Sequence, residues 1–264
     1  MSGTGHVDVR ALNNAELLLL MKKESCKYKS ISLNAINKYF EVTKENCLFK
    51  LRYGRAFNGI WIRIPFRLDE DVAALAGLMP DGSLIKDLMR IYFHQGKDYS
   101  KIILFTNLIK KLFHPQNRIF TKKDRRGFQA YTNSQTLAIF FYKILKIPKS
   151  DEQMRVPQWI FQSPKSVKIA YLREAFAMEG TILKKLSEIR FITKDYLFAK
   201  DIQKLLKQIR IEAIVKPRIG GTHRTRQYRI SIYRIKNFAL FKEIGFSTEF
   251  HKERFRRLCS KYGI

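Results

Sequence analysis

Two thirteen-residue segments of this chain align without a gap. Asp81-Gly82-Ser83-Leu84-Ile85-Lys86-Asp87-Leu88-Met89-Arg90-Ile91-Tyr92-Phe93 matches Glu179-Gly180-Thr181-Ile182-Leu183-Lys184-Lys185-Leu186-Ser187-Glu188-Ile189-Arg190-Phe191. Each copy opens with an acid and a glycine at the end of an apolar run. A chain built this way folds as two versions of one unit. An acid kept at the same point in each version suggests two carboxylates meeting across a pseudo-twofold axis.

The repeat continues beyond these segments. Lys97-Asp98-Tyr99 recurs, with one residue of slip, as Lys194-Asp195-Tyr196. Leu104, Leu108, Ile109 and Leu112 then mark one buried helix face, as do Ile202, Leu205, Leu206 and Ile209. Asn117 to Lys123 and Phe128 to Asn133 read as a hairpin around Asp124-Arg125-Arg126-Gly127. Ala213 to Ile219 and Gln227 to Tyr233 do the same around Gly220-Gly221-Thr222-His223. Leu137-Ala138-Ile139-Phe140 and Phe238-Ala239-Leu240-Phe241 lie in a further helix of each copy. The unit is helix, two strands, helix, two strands, helix. It occupies residues 68–163 and again 164–264, with Gln158-Trp159-Ile160-Phe161 expected to pack at the join. Residues 1–67 form an N-terminal extension, with helices over Leu12–Lys22 and Ser32–Phe40 and a hairpin from Cys47–Tyr53 and Gly59–Phe66. That order resembles a small winged helix-turn-helix module.

Fifty-one Lys and Arg against 23 Asp and Glu give the 264 residues a formal charge of +28. Self-repulsion on that scale is relieved by a polyanionic partner, and nucleic acid is the expectation. No apolar run approaches the roughly 18 residues of a membrane span, and no secretion signal stands at the start, so an intracellular, membrane-free protein is expected. Cys26, Cys47 and Cys259 lack metal-site spacing, as do the five histidines. No phosphate-binding glycine loop or nucleophile elbow is present.

At the acid-glycine segments the chain resembles the LAGLIDADG homing endonucleases, in the form that carries both motifs in one polypeptide. Copy one reads Ala74-Leu75-Ala76-Gly77-Leu78-Met79-Pro80-Asp81-Gly82, and copy two Leu172-Arg173-Glu174-Ala175-Phe176-Ala177-Met178-Glu179-Gly180. The resemblance runs from Ile62 to the C-terminus. It implies an α+β fold of two pseudo-symmetric αββαββα halves, whose antiparallel sheets form a saddle on DNA, with the motif helices paired between them. It implies a monomeric, site-specific double-strand DNA endonuclease, encoded within a mobile intron or standing free. The alternative of the same fold is a catalytically degenerate nucleic-acid binder, an intron maturase acting on intron RNA or a regulator.

Under that resemblance Asp81 and Glu179 are the catalytic acids and hold Mg²⁺ or Mn²⁺, aided by the backbone carbonyls of Pro80 and Met178. Hard divalent ions prefer such oxygen ligands and keep much of their water, so one carboxylate per half is enough when phosphate completes the shell. The family's catalytic lysine near the end of each half falls on Lys252 in copy two and on Lys149, with Lys146 behind it, in copy one. The saddle residues are expected on the hairpins: Arg118, Lys122, Lys123, Arg125, Arg126, Gln129 and Tyr131 in the first half, and Lys216, Arg218, Arg224, Arg226, Gln227, Arg229 and Arg234 in the second. Arginine reads guanine and glutamine reads adenine, while lysine mostly meets phosphate. Alternation along Arg224, Arg226 and, after a break, Arg229 and Ser231 is expected to define one groove-facing side.

The chain departs from the family pattern at three places. Ala76 is the expected small residue at the helix crossing, but Glu174 stands at the matching place and needs a partner such as Arg173 or Lys168, or else the helices must separate. The penultimate acid of the motif is replaced by Met79 and Ala177. Pro80 is expected to disturb the helix end just before Asp81.

Overall fold

The computed structural model describes residues 28–55, 59–96, 98–125, 127–220 and 225–264; the helix expected over Leu12–Lys22 lies outside them. In the extension, β1 (Ser30–Ile31) leads into α1 (Leu33–Asn37) and then a three-stranded antiparallel meander of β2 (Glu41–Glu45), β3 (Leu48–Arg52) and β4 (Ile60–Ile62). β5 (Phe66–Arg67) returns to pair with β1. The meander adds β2 to the expected hairpin. Ile36, Phe40, Leu51, Ile60, Ile62 and Phe66 face inward and join one core with both halves. Phe66 packs on Phe113 and Phe140 at 5.7 and 5.1 Å between ring centroids, so the extension is seated on the first half.

Each half begins with its motif helix. In the first, α2 (Glu70–Leu78) is capped by Asp69, whose carboxylate accepts from the N–H groups of Asp71 and Val72. The sheet that follows contains β6 (Gly82–Leu84) and β7 (Ile91–Gln95), then α3 (Tyr99–Phe113), then β8 (Ile119–Asp124) and β9 (Gly127–Thr132), in spatial order β6-β7-β9-β8. α4 (Gln135–Ile139) continues into a π-helical turn over Phe140–Ile144 and closes the half. A short α5 (Gln158–Phe161) fills the join. Trp159 there donates its indole N–H to the Leu145 carbonyl at 2.9 Å, which packs the join as expected.

The second half repeats the order with α6 (Lys165–Glu179), β10 (Gly180–Ile182), β11 (Ile189–Thr193), α7 (Tyr196–Gln208), β12 (Ala213–Gly220) and β13 (Thr225–Ile232), then α8 (Ile235–Phe241) and α9 (Glu249–Tyr262). Its sheet order, β10-β11-β13-β12, is that of the first. The two αββαββα halves and their antiparallel sheets are therefore present as expected. Asp201 of α7 ties the join to this half: its carboxylate accepts from Arg155 Nε at 2.6 Å and Nη2 at 3.0 Å, and from the Val156 N–H at 3.1 Å.

α2 and α6 are apolar on most sides because they pack on each other as well as on their sheets. A Cβ at Gly77 would lie 2.4 Å from the Tyr171 carbonyl oxygen and 3.1 Å from Glu174 Cβ. The small residue that permits the close crossing is thus Gly77, one position along from the expected Ala76. Glu174 also finds a different partner from those expected. Lys101 of α3 donates to Glu174 Oε2 at 2.8 Å, and the Ser247 hydroxyl, which accepts from Lys101, donates to the same oxygen at 2.8 Å. Arg173 instead donates to the carbonyls of Ile244 and Glu243.

Candidate active site and nucleic-acid interface

The acid at the foot of each motif helix is presented differently. α6 runs unbroken to Glu179, whereas α2 ends at Leu78 and a 3₁₀ turn covers Met79–Asp81. Pro80 lacks the N–H that an α-helix would use there, so the turn tightens while Met79 keeps helical angles (φ −67°, ψ −14°). The glycine after each acid is extended, with φ −98° at Gly82 and −89° at Gly180, and opens a strand. Glycine is needed for space: a Cβ at Gly180 would lie 2.2 Å from the Phe176 carbonyl oxygen.

Asp81 and Glu179 are close enough for the charge of one to act on the other. Burial pushes the Glu179 carboxyl up to about 7, with the Asp81 charge adding to the rise and Lys194 opposing it. Burial also raises Asp81, while a hydrogen bond from Gln95 and the proximity of His94 pull it back. Gln95 Nε2 donates to Asp81 Oδ2 at 2.6 Å and approaches Met178 Sδ at 3.2 Å, so one amide touches both motif ends. Glu179, Pro80, Lys194, Asp195 and Gln227 line one cleft, while Gly82, Lys149 and Asp195 line another beside it.

Two half-buried carboxylates with raised pKa values are short of positive charge. Oxygen donors in this setting fit a hard divalent cation. No cluster of three or more His, Cys, Asp or Glu side chains with metal-binding geometry occurs among the described residues, so phosphate and water would have to complete any such shell.

The lysines assigned by resemblance fall unequally. Lys149 lies in the second cleft but pairs with Glu152 at 3.3 Å and Asp151 at 3.9 Å. Lys252 pairs with Glu249 on the outside of α9 at 2.7 Å, and the cation that acts on Glu179 is Lys194. Lys194 was visible in the sequence as part of the repeated Lys-Asp-Tyr segment. Gln95 had a weaker signal, an amide at an inward strand position where the other copy has Thr193.

The sheets have one face on the core and one facing away. Phe93 and Ala130 are cross-strand partners and fully buried, as are Phe191 and Ile230. Partners of opposite parity therefore share the outward face. In the first sheet these are Tyr92, Tyr131 and Phe120, then His94, Gln129 and Lys122. Arg118 extends the row, its guanidinium 5.5 Å from the centroid of Phe120. In the second sheet they are Arg190 with Ser231, Arg229 with Lys216 and Ile192, and Gln227 with Arg218.

Three expected contacts leave this set. Lys123 has the other parity and lies over Phe128 at 5.5 Å. Arg226 likewise has the other parity, exposed and 5.8 Å from the Tyr228 ring, so the outward side of β13 is Gln227, Arg229 and Ser231. Arg234 lies past the strand at φ 72° and pairs with Glu212 at 3.3 Å. Arg125 is exposed in the hairpin turn, and Arg126 and Arg224 lie outside the described residues. Arg190 was not anticipated, because the hairpins drew attention from the inner strands.

The family model described as LAGLIDADG-like domain matches residues 166–245. The match lies within the second half, from α6 to just past α8. The first half repeats the same elements in the same sheet order. The chain is similar to the structure of the homing endonuclease I-DmoI in complex with DNA and Mn, with a TM-score of 0.51 and 16% identity, over 69% of this chain and 99% of that one. Mesophilic variants of I-DmoI give a TM-score of 0.50 at 17% identity, over 67% and 96%. At these identities the likeness is one of fold alone. A stretch covering 43% of the chain is 31% identical to the DNA-directed RNA polymerase subunit Rpo1N of Methanocaldococcus jannaschii, over 131 residues. The chain spans about 10% of the length of that subunit. No helix among the described residues is long and apolar enough to cross a membrane.

Proposed function

We propose that this chain is a site-specific double-strand DNA endonuclease of the LAGLIDADG type that hydrolyses one phosphodiester in each strand, acting as a monomer with pseudo-twofold symmetry. The observation that carries this reading is the placement of two half-buried carboxylates, Asp81 and Glu179, one from each half, at the ends of the paired motif segments, where Gln95 Nε2 bonds Asp81 and touches Met178 Sδ. The two sheets extend from that point with cationic and amide side chains on their outward faces.

Asp81 and Glu179 would hold Mg²⁺ or Mn²⁺, with the carbonyls of Pro80 and Met178 beside them. Such an ion lowers the pKa of bound water and neutralises charge on the phosphate. Gln95 fixes the orientation of Asp81. Lys194 offsets the crowding of negative charge at Glu179 and would do the same for an incoming phosphate. Lys122, Lys216 and Arg118 supply sequence-independent phosphate attraction, while Gln129, Gln227 and the outward arginines meet base edges.

The test is selection of duplexes from a randomised library at moderate salt with chelator, followed by addition of Mg²⁺ to the enriched pool. Wild type should cut both strands, whereas Asp81→Ala and Glu179→Gln should bind the same pool and leave it intact. A second reading, a non-cleaving nucleic-acid binder acting as an intron maturase or regulator, is favoured by the unequal backbones at the two acids, one α-helical and one 3₁₀. Specific binding without cutting by wild type would select it, with structured intron RNA as the next ligand.

A further inference from the structure

The two sheets carry opposite charges at one matched position, Arg90 in the first copy and Glu188 in the second. Glu188 immediately precedes β11 and has the outward parity of Arg190, yet its side chain is only 3% exposed. It is covered by the arginines it attracts. Arg190 Nε lies 2.7 Å from Glu188 Oε2, and Arg229 Nε lies 3.8 Å from Oε1. Ser231, the cross-strand partner of Arg190, is buried in the same place.

A buried carboxylate is stable only with its charge matched, and here two guanidinium groups share one acid. Neither Nε, nor Glu188 Oε1, has a hydrogen bond of good geometry within the protein. Both Nε atoms are buried against Glu188, so the contacts are ionic restraints that fix where the arginine stems lie. The first half is built otherwise. Arg90 donates to the Tyr92 hydroxyl and lies 5.4 and 5.8 Å from the Tyr92 and Tyr131 rings, and Phe120 stacks on Tyr131 at 5.1 Å.

We propose that Glu188 is a positioning residue for sequence recognition: it holds Arg190 and Arg229 as a pair of guanine readers, so that the half-site under the second sheet is selected for guanine where these two side chains meet the major groove. This rests on the duplex-DNA reading above. Guanine offers two acceptors, O6 and N7, to an arginine fork, whereas the other bases place a donor or a methyl group in one of those positions. An arginine already restrained loses less rotamer freedom on contact than one free to seek any phosphate. Among the described residues the aromatic ridge of the first sheet has no arginine pair held by a buried acid, and its half-site is selected by other contacts.

The same randomised-duplex selection, with chelator throughout, tests the assignment. Wild type should enrich guanine at two positions in one half of the site. Glu188→Gln should lose that preference by roughly fivefold or more at each position, the scale of one bidentate pair. The other half-site should be unchanged, which also reports that the variant is folded. Arg190→Lys and Arg229→Lys retain the charge but remove the fork; each should lose guanine at one position while the salt dependence of binding stays as in wild type. Should Glu188→Gln enrich nothing, the lysine variants decide. Guanine preference surviving in them, or wild-type enrichment of a site without those guanines, overturns the proposal. Failure of wild type to enrich any duplex is a different result and removes the duplex-DNA reading itself.

Discussion

Lys101 and Glu174 meet at 2.8 Å between the two halves, with side chains 2% and 7% exposed. In the repeat, Lys101 matches Phe198 and Glu174 matches Ala76, both buried. An ion pair on one side of the pseudo-axis thus stands where the other side has two apolar residues. Removing one member leaves the other charged and buried, at a cost of about 3–5 kcal/mol. Glu174→Ala and Lys101→Phe should each destabilise by that order, and the two together, which copy the opposite side, should recover most of the loss. A urea-denaturation double-mutant cycle measures this. A double variant as unstable as the sum of the singles would show that the pair is held by more than charge matching.

Glu179 makes the metal-free protein sensitive to pH. Its carboxyl is raised from an ordinary 4.5 to about 7, so between those values the folded state binds more protons than the unfolded one. The associated stability is complete below the unfolded pKa and is lost as pH rises through the folded pKa. We expect wild type in chelator to lose about 2–3 kcal/mol of unfolding free energy between pH 5 and pH 8 through this group. Glu179→Gln should flatten the curve and be the more stable protein at pH 8. Parallel curves for the two proteins would remove Glu179 as the source.

Much of this was legible in the sequence because the duplication carried it. One copy's helices and strands supported the other's, and the acid-glycine step located the end of α6 and of the 3₁₀ turn that follows α2. What escaped depended on register or on charge. The hairpin turns were visible, but which side of β13 faces outward depends on its pairing with β12, and Gln227 rather than Arg226 shares the side of Arg229. β2 was missed because Glu41–Glu45 is a charged strand with only Val42 packed on the core. The partner of Glu174 was hidden by the one-residue slip between copies, which obscures that Lys101 occupies the place of a buried phenylalanine.

Gly77 sets how closely the motif helices approach. The atom that a Cβ would meet at 2.4 Å is the Tyr171 carbonyl oxygen, part of a helix backbone that cannot rotate away. Gly77→Val should force α2 and α6 apart and cost about 1–3 kcal/mol or more as overpacking. The acids at the feet of those helices would move with them, while each sheet keeps its own outward face. Cutting should therefore fall more steeply than duplex affinity, measured as single-turnover rate against Kd on one target. Equal losses in both would place the crossing outside the control of the acids.

Lys194 and Lys252 offer a direct comparison of a lysine near the acids with one expected there from resemblance alone. Lys194 holds the Glu179 pKa down, whereas Lys252 is engaged by Glu249 on the exposed side of α9. Lys194→Met should let the Glu179 pKa rise further, so that less of the carboxylate is ionised at neutral pH. The ascending limb of the single-turnover cutting rate in Mg²⁺ should then move to higher pH, with a lower rate at pH 7. Lys252→Met should leave both the limb and the rate where they are. A shift produced by Lys252→Met, with Lys194→Met silent, would return the catalytic role to α9 and would require that helix to move toward the acids when DNA binds.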